Sequence, residues 1–128
     1  DEKNPFFDTM PDNSISLINK KSINDFSKKI STDIEFERFR ANIYIDGLAA
    51  WEERNWIGKT IKINNVDFVV SDEISRCSAT NLRPSTDIVT INLPNELKKI
   101  YDHINMGLYL VPQQNGVISK EDKIIIHD

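Results

Sequence analysis

A mainly β fold with α, a barrel or sandwich of about six or seven short strands carrying two short helices, is what this sequence predicts. Three observations predict it. Short stretches of alternating apolar residues recur along the chain with turn signals between them. Only two stretches repeat apolar residues at helical spacing. At 128 residues with 39% hydrophobic content, the chain has the length of one domain with one ordinary core. The pattern favours a barrel or sandwich over a βαβ layer architecture.

The elements follow in order. Asp1 to Asn13 carries Pro5, Pro11 and four acidic residues, and reads as irregular. Within it, Phe6-Phe7-Asp8-Thr9 is too apolar for a free tail and is expected to dock. Ser14 to Ile18 alternates and reads as a strand. Ser22 with Asp25 three residues on makes a capping pattern, and Ile23, Phe26 and Ile30 give a helix ending near Ser31. Ile43 and Ile45 flank Tyr44 in a strand that ends at the Asp46-Gly47 turn. Ala49 to Trp56 reads as a helical turn.

Ile61 and Ile63, then Asn64-Asn65, then Val66, Phe68 and Val70 form the clearest hairpin, because Asn tolerates the positive φ of a two-residue loop. Asn81 to Asp87 is a loop around Pro84, and Ile88 to Ile91 reads as a strand. Pro94 suits the first position of a helix whose apolar face is Leu97, Ile100, Tyr101 and Ile104, with Gly107 as its stop. Leu108 to Val111 is a strand, Asn115-Gly116 a turn, and Ile124 to Ile126 the last strand. There is no internal repeat and no low-complexity segment.

Net charge is -4, and no basic face stands out, which argues against nucleic acid as a main partner. No apolar run approaches the ~18 residues that cross a bilayer, so no membrane span is expected. No secretory signal is visible, and the single cysteine excludes an internal disulfide. These features are compatible with a reducing, cytoplasmic compartment. The chain opens on Asp1, which suggests a piece of something longer.

Chemistry concentrates in Ile74-Ser75-Arg76-Cys77-Ser78-Ala79-Thr80. A thiolate is a soft ligand that binds soft metals and attacks sulfur. A lone cysteine is also a common small core residue, and spacing alone leaves both readings open. Upstream, Arg38 and Arg40 are two apart; on an extended chain they point to one side. Arginine suits bidentate phosphate contacts, and Asn42 adds an amide; a solvated, charged strand edge is the alternative. Glu52 and Glu53 beside Trp51 and Trp56 read as a solvated turn, with the tryptophans as packing. His103 and His127 have no companion at metal-ligand spacing. The chain has no Gly-rich phosphate loop, G-x-S-x-G, C-x-x-C or H-E-x-x-H, so a classical hydrolase, zinc or nucleotide-binding site has no support.

From about Asp8 to Asp122 the sequence resembles the MOSC domain, the C-terminal module of molybdenum cofactor sulfurases. The resemblance is to the group containing the amidoxime-reducing component and its bacterial relatives. It is carried by Arg38-Phe39-Arg40-Ala41-Asn42-Ile43, Asp46-Gly47, Trp56-Ile57-Gly58, Ser75-Arg76-Cys77-Ser78-Ala79-Thr80, Gly107-Leu108-Tyr109 and Gly116-Val117-Ile118 with Asp122. Their order and spacing match.

The resemblance implies a MOSC-type β-barrel as a single domain over 1-128. It makes Cys77 the thiolate ligand to molybdenum and hence the catalytic residue. Ser75 and Arg76 flank it in the same motif, Arg40 and Asn42 match an Arg-Pro-Asn that holds the pterin and its phosphate, and Asp8 and Thr9 match an upstream Asp-Thr pair. The implied cofactor is a pyranopterin molybdenum cofactor, which the chain by itself is expected to purify largely without. The implied activity is reduction of N-hydroxylated or N-oxide small molecules, with electrons from a haem, flavin or iron–sulfur partner. A sulfur carrier is the alternative, with Cys77 taking persulfide sulfur from a pyridoxal-phosphate cysteine desulfurase for metal–sulfur cluster or cofactor assembly.

Three positions depart from the family pattern. Ala41 replaces the proline, Leu82-Arg83-Pro84-Ser85-Thr86-Asp87 stands where Asp-Pro-x-Thr-Gly is common, and Glu121 replaces a glycine before Asp122. Related full-length proteins carry an N-terminal half with further cofactor contacts. The chain is therefore either the C-terminal part of a longer protein or a minimal MOSC protein, and by itself an incomplete catalyst.

Overall fold

The computed structural model describes residues 6–9, 14–119 and 124–127. Among the described residues, eight strands and two α-helices follow one another: β1 (Phe6–Thr9), β2 (Ile15–Asn19), α1 (Lys20–Lys29), β3 (Ile43–Ile45), β4 (Thr60–Ile63), β5 (Val66–Ser75), α2 (Leu93–Tyr101), β6 (Asn105–Pro112), β7 (Gly116–Ser119) and β8 (Ile124–His127). Three single 3₁₀ turns, Phe36–Phe39, Glu52–Trp56 and Ser78–Asn81, complete the set. Six strands form one sheet in the order β3-β2-β6-β5-β4-β8, curled into a half-barrel, and β1 pairs with β7 in a separate ribbon. The mainly β class with two helices is therefore as expected.

The β4–β5 hairpin is where the alternation placed it, with Asn64 at φ 56. β5 runs on to Ser75 because β6 offers it a long antiparallel partner, with register shifts at Val70/Asp72 and Glu73/Ser75. These irregularities deliver the Ser75-Arg76-Cys77 segment off the end of a long, doubly paired strand.

The core has two compartments. Leu17, Ile61, Phe68, Val70, Leu108 and Leu110 fill the inside of the half-barrel. Ile18, Ile23, Phe26, Leu93, Leu97 and Met106 pack the helices against its other face. Leu17 and Ile18 divide between the two as neighbours on a strand must. Met106 and Leu108, two apart, should share a face, yet they lie in different compartments. Gly107, at φ +97, stands between them, where an irregular backbone reverses the alternation. Burying a side chain the size of Phe26 or Phe68 stabilises the fold by about 1.5–3 kcal/mol.

Several sequence expectations are corrected. Phe6–Thr9 is a strand, not irregular chain, because β7 pairs with it. The N-cap of α1 is Asn19, whose Oδ1 accepts from the Lys21 N–H at 3.0 Å; Ser22 lies inside the helix, buried. α2 starts at Leu93 with Pro94 in its first turn. It ends at Asp102, in the left-handed conformation at φ 63, five residues before Gly107. Ile88 to Ile91 forms no strand: a single bridge joins Leu82 to Val89, and Ile88 and Val89 stay 50% and 67% exposed, with no sheet face to bury them. No helix among the described residues is long and apolar enough to cross a membrane.

Candidate functional site

Two turns carry the candidate residues, and arginines fasten them together. Cys77 leaves β5 in an extended conformation and caps the Ser78–Asn81 turn. Its carbonyl accepts from the Thr80 N–H at 3.1 Å and the Thr80 hydroxyl at 2.8 Å. That pair of bonds fixes the backbone, and the thiol is exposed. The small-core-residue reading of Cys77 therefore fails. Ser75 is exposed as well, and its hydroxyl donates to Asn105 Oδ1 at 3.0 Å.

Arg76 turns inward instead. Its N–H donates to the Ile104 carbonyl at 2.8 Å, Nε to the Met106 carbonyl at 2.9 Å and Nη1 to the Phe39 carbonyl at 3.2 Å. The guanidinium lies 5.1 Å from the centre of the Phe39 ring. Nη2 is buried without a hydrogen-bond partner. Burial pushes this guanidinium down to about 10, partly offset by Tyr109, Tyr44 and Cys77, so it is still a cation at neutral pH. Gly107 makes the room for it: a Cβ there would sit 3.0 Å from Nη2 and 2.9 Å from Ile18 Cγ1. A buried cation that touches only neutral acceptors is costly unless an anion reaches it.

The second turn, Phe36–Phe39, ends at Arg40, which is left-handed at φ 51 and ψ 41 and exposed. The turn overturns the expectation that Arg38 and Arg40 project together from extended chain. Arg38 is 6% exposed and structural. It pairs with Glu35, and it donates from Nη1 to the Thr80 and Asn81 carbonyls at 3.2 and 3.1 Å and from Nη2 to the Thr90 hydroxyl. Arg38 and Arg76 thus hold the cysteine turn from two sides. Asn42 clips its segment to β2: its Oδ1 accepts from the Ser16 N–H at 2.8 Å, and its own N–H donates to Ser16 Oγ at 2.9 Å. Asp8 and Thr9 lie on β1, with side chains outside the described residues; Glu121 and Asp122 lie outside them entirely.

A cleft of about 300 Å³ is lined by Glu37, Arg38 and Arg40 from the first turn and by Leu82, Arg83 and Pro84 from the loop after the cysteine turn. Ala79, two residues past Cys77, also lines it. Arg40 is thereby brought to the cysteine turn. Cys77, Arg76 and Asn42 are not among the residues lining the cleft. The sequence did not single out Arg83, which lines the cleft from the loop that departs from Asp-Pro-x-Thr-Gly.

One other sequence reading changes. Glu53 is no solvated residue: it is 1% exposed, and its carboxyl oxygens accept from Asn19 Nδ2 at 2.9 Å and Ser22 Oγ at 2.8 Å. His103 lies past the end of α2, half-buried; its Nδ1 accepts from the Asn105 N–H at 3.0 Å, and its ring stacks on Tyr101 at 5.8 Å. Among the described residues, no three His, Cys, Asp or Glu side chains group as a metal site.

The family model for the MOSC domain matches residues 7–125. The chain belongs to the MOSC family. Mitochondrial amidoxime reducing component 2 of Rattus norvegicus is 33% identical over 87 residues, covering 68% of this chain and 25% of that protein. The Bos taurus protein of the same name is 28% identical over 113 residues, covering 86% of this chain and 33% of its own length. The chain thus spans between a quarter and about a third of these relatives. YiiM from Geobacillus stearothermophilus shares the fold, with a TM-score of 0.72 at 15% identity over 97% of this chain and 61% of that one. Membership of the MOSC family associates the domain with the molybdenum cofactor.

Proposed function

We propose that this MOSC domain binds a pyranopterin molybdenum cofactor, with the Cys77 thiolate as its protein ligand to the metal. The observation that carries the reading is the sequence neighbour of that thiol: a buried guanidinium, Arg76, with one nitrogen unsatisfied and no carboxylate on it. An exposed sulfur in the field of a cation that no carboxylate neutralises suits an anionic ligand at that sulfur. The resemblance supplies the remaining metal ligands from the bound pterin, and the single exposed thiol leaves Cys77 as the protein's sulfur. The residues present fit such a group.

Each residue then has a task. Cys77 supplies the sulfur, held at a fixed position because Thr80 grips its carbonyl. Arg76 ties that turn to β6 and to Phe39, and its charge favours an anion at the neighbouring Cys77. Arg40 supplies an exposed cation on the neighbouring turn, and Asn42 an amide Nδ2 left over from its clip to Ser16. Ser75, Asp8 and Thr9 complete the proposed set. When bound, the cofactor supplies two-electron redox chemistry at the metal. The proposed reaction takes an N-hydroxylated or N-oxide substrate, two electrons and two protons to the reduced nitrogen compound and water. The electrons come from a haem, flavin or iron–sulfur protein. Nothing in the site favours the sulfur-carrier alternative over this reading.

The test is metal and pterin content after loading the purified protein with the isolated cofactor. Near-equimolar molybdenum and pterin are expected, with Cys77→Ala losing most of the molybdenum. Persulfide on Cys77 with no molybdenum retained would overturn the reading in favour of the sulfur carrier.

A further inference from the structure

We propose that Asn105 is a positioning residue for Cys77: its amide, locked by Glu73 and Arg54, clasps Ser75 and so fixes the end of the strand from which the sulfur leaves. The ladder between β5 and β6 is irregular there. Its register shifts between Glu73 and Ser75, and Ser75 opposite Asn105 is the last pair. A shift of this kind disrupts the ladder bonds, so the strand end needs another hold. The Asn105 side chain supplies it from across the ladder. Its Nδ2 donates to Glu73 Oε1 at 3.2 Å on one side of the shift, and its Oδ1 accepts from the Ser75 hydroxyl at 3.0 Å on the other.

The orientation of that amide is not free. A carboxylate only accepts, so the nitrogen must face Glu73, and the oxygen remains for Ser75. Glu73 is held in turn by Arg54 from the Glu52–Trp56 turn, which donates from Nε to Oε2 and from Nη2 to Oε1 at 3.2 Å. A two-point arginine–carboxylate pair fixes geometry as well as charge. The Asn105 backbone is anchored separately, its N–H donating to His103 Nδ1 at 3.0 Å. The flanking residues take hold of Arg76: the Ile104 carbonyl accepts from its N–H at 2.8 Å, and the Met106 carbonyl from its Nε at 2.9 Å. Residues 104–106 thus grip Ser75 and Arg76, and Cys77 follows directly. Ser75 and Cys77 are exposed while Arg76 between them turns inward, the alternation of extended chain. Fixing Ser75 therefore fixes the side to which the sulfur projects. The clasp stands on the chain's own bonds; its use, a sulfur held ready for the metal, rests on the reading of Cys77 as the ligand.

Amide hydrogen exchange of the full chain, before any cofactor loading, tests the clasp. Two amides report on the segment: that of Arg76, bonded to the Ile104 carbonyl, and that of Thr80, bonded to the Cys77 carbonyl. Asn105→Ala should raise their local opening about fivefold. Glu53→Gln, which weakens the fold without touching Ser75 or Asn105, should leave both amides as in the parent. Asn105→Asp keeps the acceptor for Ser75 but sets a carboxylate against Glu73, and adding Glu73→Gln should recover part of its loss. Unchanged exchange at Arg76 and Thr80 in Asn105→Ala, or the same rise in Glu53→Gln, would overturn the proposal. In cofactor-loaded protein, Asn105→Ala should release molybdenum about fivefold faster than the parent. Release at the parent's rate would overturn the role in holding the sulfur. A parent that takes up no molybdenum would sink the reading of Cys77 as the metal's ligand, and hydrogen exchange alone would then decide the clasp.

Discussion

Arg76 Nη1 donates to the Phe39 carbonyl at 3.2 Å, and through that bond the turn bearing Cys77 is tied to the turn bearing Arg40. The two residues are 37 apart in sequence. The same guanidinium bonds the Met106 carbonyl, so it links β6 and both turns at one point. Arg76 is thus placed to orient the cysteine turn.

Gly107 controls that placement. A Cβ at this position would lie 2.9 Å from Ile18 Cγ1, 3.0 Å from Arg76 Nη2 and 3.1 Å from the Leu17 carbonyl, and φ is +97. Gly107→Ala is expected to cost about 2–4 kcal/mol from strain and overpacking, read as a lower urea midpoint with unchanged slope. Arg76→Ala combined with it should cost less than the sum of the two single changes, because part of the clash is with the guanidinium.

Glu53 is a structural carboxyl. Glu53→Ala removes the acceptor for Ser22 Oγ and one of two acceptors for Asn19 Nδ2, and leaves a hole beneath Trp51 and α1. A loss of about 2–4 kcal/mol in chemical denaturation is expected. Glu53→Gln keeps the volume and should lose less, about 1–2 kcal/mol. Stability unchanged in Glu53→Ala would show that the network contributes nothing net.

His103 makes the fold sensitive to mild acid. Burial, and then the nearby Arg54, push the imidazole below its ordinary value, against weaker upward pulls from Glu73 and Asp102. Its Nδ1 already accepts a hydrogen bond from the Asn105 N–H, which a protonated nitrogen could not do. The unfolded chain therefore binds this proton more readily than the folded one. The stability due to the neutral ring is fully present above the ordinary imidazole value of about 6.5 and is lost as pH falls below it. Unfolding free energy should decline between pH 7 and 5, and His103→Gln should flatten that decline. An identical slope in the variant would contradict the assignment.

Local patterns in the sequence were legible where packing agreed with them. The Asn64-Asn65 hairpin, both helices and the last strand were read from alternation, turn residues and helical spacing. Ile88 to Ile91 misled because a β-rich stretch needs a partner strand, and only the Leu82–Val89 bridge is available. Ser22 looked like a cap, but Glu53, 31 residues away, draws its hydroxyl inward. Such long-range bonds leave no trace at short spacing. For the site, the order of motifs pointed to Cys77, Arg76 and Arg40. It could not tell that a 3₁₀ turn would bury Arg38 and expose Arg40, because periodicity over four residues is too short to separate a turn from a strand. Arg83 did not stand out because only the fold brings its loop to the cleft that Arg40 also lines.

The most direct test of the central claim is molybdenum X-ray absorption on cofactor-loaded protein, comparing the parent with Cys77→Ser. With Cys77 as ligand, the fitted number of short sulfur neighbours around the metal falls by about one in the variant, replaced by an oxygen or left vacant. An unchanged sulfur shell in Cys77→Ser, at equal metal loading, would contradict the assignment of Cys77 as the protein ligand.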